Sequence, residues 1–228
     1  MSLSRRQFTV GTVTAIAATA PRLIYGENTE QRNRFVIGMN CYTPIRFNLA
    51  ECLDQIKETP FRKIELPVWA LYNSKVLIPE FMVDVSLGGQ WQYSIPDLEQ
   101  LLSKGNFQVE CVCVLGHLAA YPGSEGILKR RIDFADRLGV KLINLALCPF
   151  NPTEENRKTV YSMLRNIGRC AAEKNISIAV ETWGGITRNA DEALRTLREV
   201  DLPNVGINFD IGNVLLKNPD MDAASLPG

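Results

Sequence analysis

Three carboxylates stand at or near the ends of apolar runs: Glu65 in Lys63–Val68, Glu181 closing Ile176–Glu181, and Asp210 closing Val205–Asp210. The only histidine, His117, follows the run Gln108–Leu115, and Asn40 and Cys148 close two more runs. If these runs are parallel strands of one sheet, all six residues meet at one rim. Inward carboxylates on adjacent strands repel each other. A hard divalent cation offsets that repulsion and takes oxygen ligands from both. Each residue also has a plainer reading. Glu181 could pair with Arg188 or a lysine, and Asp210 could cap the segment after it. Glu65 could pair with Lys63 or Arg62, and His117 could simply be solvated. Trp69 and Trp183 could form apolar walls of a site or pack in the core.

The elements that must position these residues alternate along the chain. Predicted strands lie at 35–40, 63–68, 108–115, 140–147, 176–181 and 205–210. Helical patterns lie between them: 48–58, 94–105 with Pro96 and Asp97 in its first turn, 124–138 closed by Gly139, 151–174 with Asn151 as cap, and 191–200. Strands alternating with helices imply βαβ units and a parallel sheet. The strand patterns separate a barrel from an open sheet. Ile176, Ile178 and Val180 alternate with Ser177, Ala179 and Glu181; Val205, Ile207 and Phe209 alternate with Gly206, Asn208 and Asp210. Phe35, Ile37 and Met39 alternate likewise with Val36, Gly38 and Asn40. The bulky set suits a helix layer; the smaller set, ending in a polar residue, suits a barrel axis. An open doubly wound sheet favours uniformly apolar strands. The fold expected is therefore α/β, an incomplete (β/α)8 TIM barrel of about six parallel strands with outer helices, whose active sites lie at the carboxyl ends of the strands.

Two segments carry a family resemblance: Ala179-Val180-Glu181-Thr182-Trp183-Gly184-Gly185 and Gly206-Ile207-Asn208-Phe209-Asp210-Ile211-Gly212-Asn213. They resemble the sugar phosphate isomerase/epimerase family of the xylose isomerase-like TIM-barrel superfamily, which also contains enzymes of the endonuclease IV type. The resemblance runs from about Phe35 to the end. It implies a divalent metal (Mn, Mg, Co or Zn) bound by Glu181 and Asp210, with Glu181 also exchanging a proton with the substrate carbon. It further implies that Glu65 and His117 face a sugar or polyol, beside Trp183 and Asn213. Two departures stand out. Family members often carry Glu-x-His where this chain has Glu181-Thr182-Trp183. Strands seven and eight, which bring a second histidine and a second glutamate, are not visible before Gly228. The metal site is thus expected to be incomplete in these 228 residues, and isomerase or epimerase activity negligible.

Composition bounds the alternatives. The 228 residues are 46% hydrophobic, with 25 basic and 25 acidic side chains. That balance gives no field to gather nucleic acid, and an abasic-DNA nuclease of the same superfamily would use a histidine-rich cluster. A non-catalytic exported carbohydrate-binding remnant is the other class. Ser4-Arg5-Arg6-Gln7-Phe8 resembles a twin-arginine leader, and the apolar run Val10–Ala20 is too short to span a bilayer. Residues 1–25 are read as that signal peptide, 26–34 as a linker and 35–228 as the barrel. The expected location is periplasmic or extracellular, without stable membrane insertion; the oligomeric state is open. Six cysteines without a Cys-x-x-Cys pair read as buried free thiols rather than disulfides or a zinc site.

Overall fold

The computed structural model describes residues 39–40, 49–69, 82–84, 92–116, 123–147 and 152–218. Residues 1–25, read as a leader, and 26–34, read as a linker, lie outside these residues, as do His117, Cys41, Cys148 and Asn151. Six strands form one parallel sheet in the order β1 (Met39–Asn40), β2 (Lys63–Trp69), β5 (Gln108–Gly116), β6 (Leu142–Leu147), β7 (Ser177–Glu181) and β8 (Val205–Asn208). Every pairing between neighbours in this order is parallel. Helices follow the strands: α1 (Leu49–Lys57), α2 (Ile95–Lys104), α3 (Ser124–Arg137), α4 (Glu154–Ala172) and α5 (Ala190–Val200). Among the described residues this is a six-stranded arc of a (β/α)8 barrel, the expected architecture.

The alternation of the strands sorts their side chains between two faces. Ile176, Ile178 and Val180 are buried in one apolar cluster with Ile132, Leu164 and Ile167 of the helix layer. Val112, Val114, Ile143 and Leu145 join the same cluster. The register puts the other set in rows across the sheet: Glu65 beside Cys111, Cys113 beside Asn144, Asn144 beside Ala179, Ala179 beside Gly206, and Glu181 beside Asn208. These smaller residues face the concave side. Cys111 and Cys113 are buried free thiols whose titration burial pushes well upward. They are packing residues with little thiolate at neutral pH.

Local chemistry sets the helix ends. Ser94 caps α2 by accepting from the Asp97 amide at 3.2 Å, with Pro96 in the first turn. Helix α4 starts later than expected. Thr153, not Asn151, is its cap and accepts from the Asn156 amide. Helix α4 is tied to α5 by Arg157, buried between Glu192 (2.5 and 2.8 Å) and the Tyr161 hydroxyl. A Cβ on Gly168 would come within 2.6 Å of the Leu202 side chain and 2.9 Å of Val205, so a larger residue there would force these side chains to shift.

Three elements depart from expectation. The sixth strand ends at Asn208, so Phe209 leaves the helix-facing set and is 38% exposed. A short helix, α6 (Ile211–Lys217), follows and is capped by Asp210. A small antiparallel pair, β3 (Met82–Asp84) and β4 (Gln92–Ser94), lies between the second and third expected strands, where no strand was expected, because three-residue strands show no usable alternation. No helix among the described residues is long and apolar enough to cross a membrane.

Candidate active site

A chain of alternating acids and amides crosses the concave face. Asn144 Nδ2 donates to Glu65 Oε1 at 3.0 Å and to Glu181 Oε2 at 2.8 Å. Asn213 Nδ2 donates to Glu181 Oε1 at 2.8 Å and to Asp210 Oδ2 at 3.0 Å. The Cys111 thiol lies 3.7 Å from Glu65 Oε1, and Cys113 Sγ lies 3.5 Å from Asn144 Nδ2. Three carboxylates on three elements are thus held apart by two neutral donors.

The loop after β7 fixes this arrangement. Gly184 at φ +152° and Gly185 at φ +55° let the chain turn sharply into a 3-10 segment at Gly185–Thr187. The Thr187 hydroxyl returns to donate to the Glu181 carbonyl at 2.7 Å. Buried Thr182 accepts from the Asp210 amide at 2.7 Å and donates to the Asp210 carbonyl at 3.1 Å. One threonine therefore locks the loop that carries Asp210 against the end of β7. Asp210 in turn accepts from the Asn213 amide at 3.1 Å, so it is both helix cap and rim carboxylate.

Burial, together with the charges of Glu65 and Asp210, raises the Glu181 carboxyl to about 7 against the lowering effect of the two asparagine donors. A carboxyl titrating near neutrality can take or give a proton at working pH.

The structure brings Glu65, Glu181, Asp210 and Asn213 into one network. Glu65 is 4% exposed and turned toward Asn144; Lys63 pairs instead with Glu110 at 2.6 Å. Trp183 is half-buried, its amide donating to the Glu181 carbonyl at 2.8 Å. His117 and the side chain of Trp69 lie outside the described residues. Sequence reasoning missed Asn144. Its signal was present: one amide inside Leu142-Ile143-Asn144-Leu145-Ala146-Leu147, a run otherwise apolar. Thr182 was missed too, because a threonine beside a glutamate announces nothing until the next strand lies alongside.

The residues fit a divalent cation in part. Glu181 Oε1 and Asp210 Oδ2 already converge on one positively polarised point, the Asn213 amide nitrogen. Hard oxygen donors of this kind suit Mg²⁺-like or Mn²⁺-like ions. Among the described residues, however, no group of three or more His, Cys, Asp or Glu is placed to hold a metal.

Several solved structures share this fold. A xylose isomerase-like TIM barrel protein from Mycobacterium smegmatis, solved with magnesium, is 17% identical with a TM-score of 0.57, covering 78% of this chain and 61% of its own. A D-allulose 3-epimerase from Methylomonas sp., solved with D-allulose, is 16% identical with a TM-score of 0.54, covering 74% and 58%. A sugar phosphate isomerase/epimerase from Parabacteroides distasonis is 10% identical with a TM-score of 0.55, covering 72% and 62%. At these identities the likeness is one of fold. The matches span about 60% of the length of these three proteins. No curated protein matches the chain. The xylose isomerase-like TIM barrel family matches residues 53–226, covering five of the six strands and the whole acid–amide network, and the chain belongs to that family.

Proposed function

We propose that the protein belongs to the sugar-converting branch of its family and that its site serves proton transfer next to the carbonyl of a sugar or polyol. The observation that carries this reading is Glu181: a half-buried carboxyl near pH 7, at the carboxyl end of a barrel strand, sharing a donor with Asp210. In this reading the ionised Glu181 takes a proton from the substrate carbon, and its protonated form returns one. Asn144 holds one Glu181 oxygen and leaves the carboxyl plane fixed. Glu65, Asn213, Trp183 and His117 are the proposed substrate contacts. Glu181 and Asp210 would hold a divalent cation, whose chemistry when bound is polarisation of the carbonyl and hydroxyl oxygens. The epimerase likenesses support a sugar as substrate, and the magnesium-bound relative supports the cation.

Turnover in this reading needs ligands beyond the two carboxylates that the described residues supply, so the 228 residues alone are proposed to be inactive. The second reading, a non-catalytic carbohydrate-binding protein, is favoured by one observation: both Glu181 oxygens are already satisfied by asparagine donors. Deuterium wash-in separates the two. In D₂O with Mn²⁺, a form carrying two further β/α units should exchange a carbon-bound hydrogen of a ketohexose, and Glu181→Gln should abolish the exchange. Binding of the sugar without exchange in that form would favour the second reading. Export through the twin-arginine route, to the periplasm or beyond, is proposed from Arg5 and Arg6.

A further inference from the structure

Asn208 is the last residue of β8 and lies beside Glu181, the last residue of β7. Val205 and Ile207 pack toward the helix layer, so Asn208 belongs to the concave set with Gly206. Its side chain is 1% exposed, and neither Nδ2 nor Oδ1 has a hydrogen-bond partner among the described residues. On the same face, buried Asn144 spends its amide hydrogens on Glu65 and Glu181 and leaves Oδ1 unmatched. The wall beside Glu181 therefore carries one unmatched donor group and two unmatched acceptors.

Buried amides are normally satisfied, and leaving one empty is costly. Burial between apolar groups would be served better by leucine or valine at position 208. The unmatched set has the complement of neutral hydroxyls, each of which gives one hydrogen bond and takes one. A carboxylate or phosphate, which only accepts, would leave both Oδ1 atoms unmatched and add charge beside Glu65 and Glu181. Asn208 also stands at the strand end, beside Glu181.

We infer that Asn208 is a ligand-binding residue that turns its amide to a pair of substrate hydroxyls next to Glu181, and that the free protein holds this amide unmatched. The inference rests on the sugar reading above and deepens it, by naming a contact on β8 for a neutral polyol surface.

Two measurements on the 228-residue chain test it. Thermal unfolding without ligand should show Asn208→Leu more stable than wild type by roughly 2–4 °C, because an apolar side chain of similar volume removes an unmet polar group. Calorimetric titration with D-allulose should show binding by wild type, weakened tenfold or more in both Asn208→Leu and Asn208→Ala. The alanine variant carries the binding test if leucine does not fit. Lower ligand-free stability in both variants would overturn the inference, since it would show the amide matched in the free protein. So would D-allulose affinity unchanged in both, or no D-allulose binding by wild type. Manganese titration separates this from the cation reading. A sugar response without a manganese response supports Asn208 and counts against Glu181 and Asp210 as ligands; manganese without sugar overturns Asn208 alone.

Discussion

Asn144 and Glu65 are hydrogen-bonded at 3.0 Å although a whole strand, β5, lies between theirs. Neighbouring strands stand about 4.8 Å apart, so the two side chains must lean inward over the intervening one. Cys111 and Cys113 are what β5 offers beneath the bridge, and both are small. The same Asn144 nitrogen reaches Glu181 at 2.8 Å, so one neutral amide serves a buried acid and a half-buried one.

Asn144→Leu should therefore destabilise the protein by about 2–4 kcal/mol at pH 7.5, because buried Glu65 and half-buried Glu181 lose their shared donor. Asn144→Asp should cost more, since it places a third acid in the donor's position. Urea unfolding checks both. The deficit of Asn144→Asp should shrink at pH 4, where acids protonate; a deficit independent of pH would contradict this account.

Glu181 links stability to pH. Its carboxyl rises from 4.5 to about 7 on folding, so the folded state holds the proton more tightly than the unfolded one. The associated stabilisation is fully present below pH 4.5 and is lost as pH rises through 7. The loss is on the order of 3 kcal/mol between those limits. Glu181→Gln should remove that decline without needing to be more stable in absolute terms, because its amide NH₂ faces one asparagine donor. Thermal unfolding of the metal-free protein from pH 4.5 to 8 reads the slope directly.

In the helix layer, Arg157 is expected to matter only for folding. It is buried, with Glu192 taking two of its nitrogens. Arg157→Met should cost about 3–5 kcal/mol by leaving Glu192 without its cation. The double change Arg157→Met with Glu192→Leu should recover most of that loss. Manganese affinity should be unchanged in whichever variants fold.

How far the sequence disclosed this arrangement differs from residue to residue. The β/α alternation was legible because each strand carries a bulky helix-facing set, as Ile176, Ile178 and Val180 do. Glu181 and Asp210 stood out as polar ends of apolar runs. Asp210's double duty was visible only as two alternatives, cap or rim acid; its 3.1 Å bond to the Asn213 amide and its shared donor with Glu181 show that one carboxylate occupies both places. The acid–amide bridges were not legible. They depend on which residues of separate strands share a row, and that pairing between segments far apart in the chain is not printed in either strand's own pattern. The end of β8 at Asn208 was missed for a local reason: Phe209 continues the alternation in sequence while the backbone has already turned to start α6.

The export reading has its own test. Arg5→Lys together with Arg6→Lys should hold a reporter fusion in the cytoplasm, whereas the unaltered leader should export it. Unchanged export by the double variant, or export in cells lacking the twin-arginine translocase, would exclude that route.

We propose that Glu181 and Asp210 act together as oxygen ligands of a divalent cation. Two carboxylates and a movable asparagine should bind Mn²⁺ weakly, with a dissociation constant in the roughly millimolar range. Calorimetric titration of the 228-residue chain with Mn²⁺, beside Glu181→Gln and Asp210→Asn, is the most direct measurement. The account predicts weak binding near one ion per chain in the wild type and its loss in each variant. Binding that persists undiminished in both variants, or none in the wild type, would contradict it.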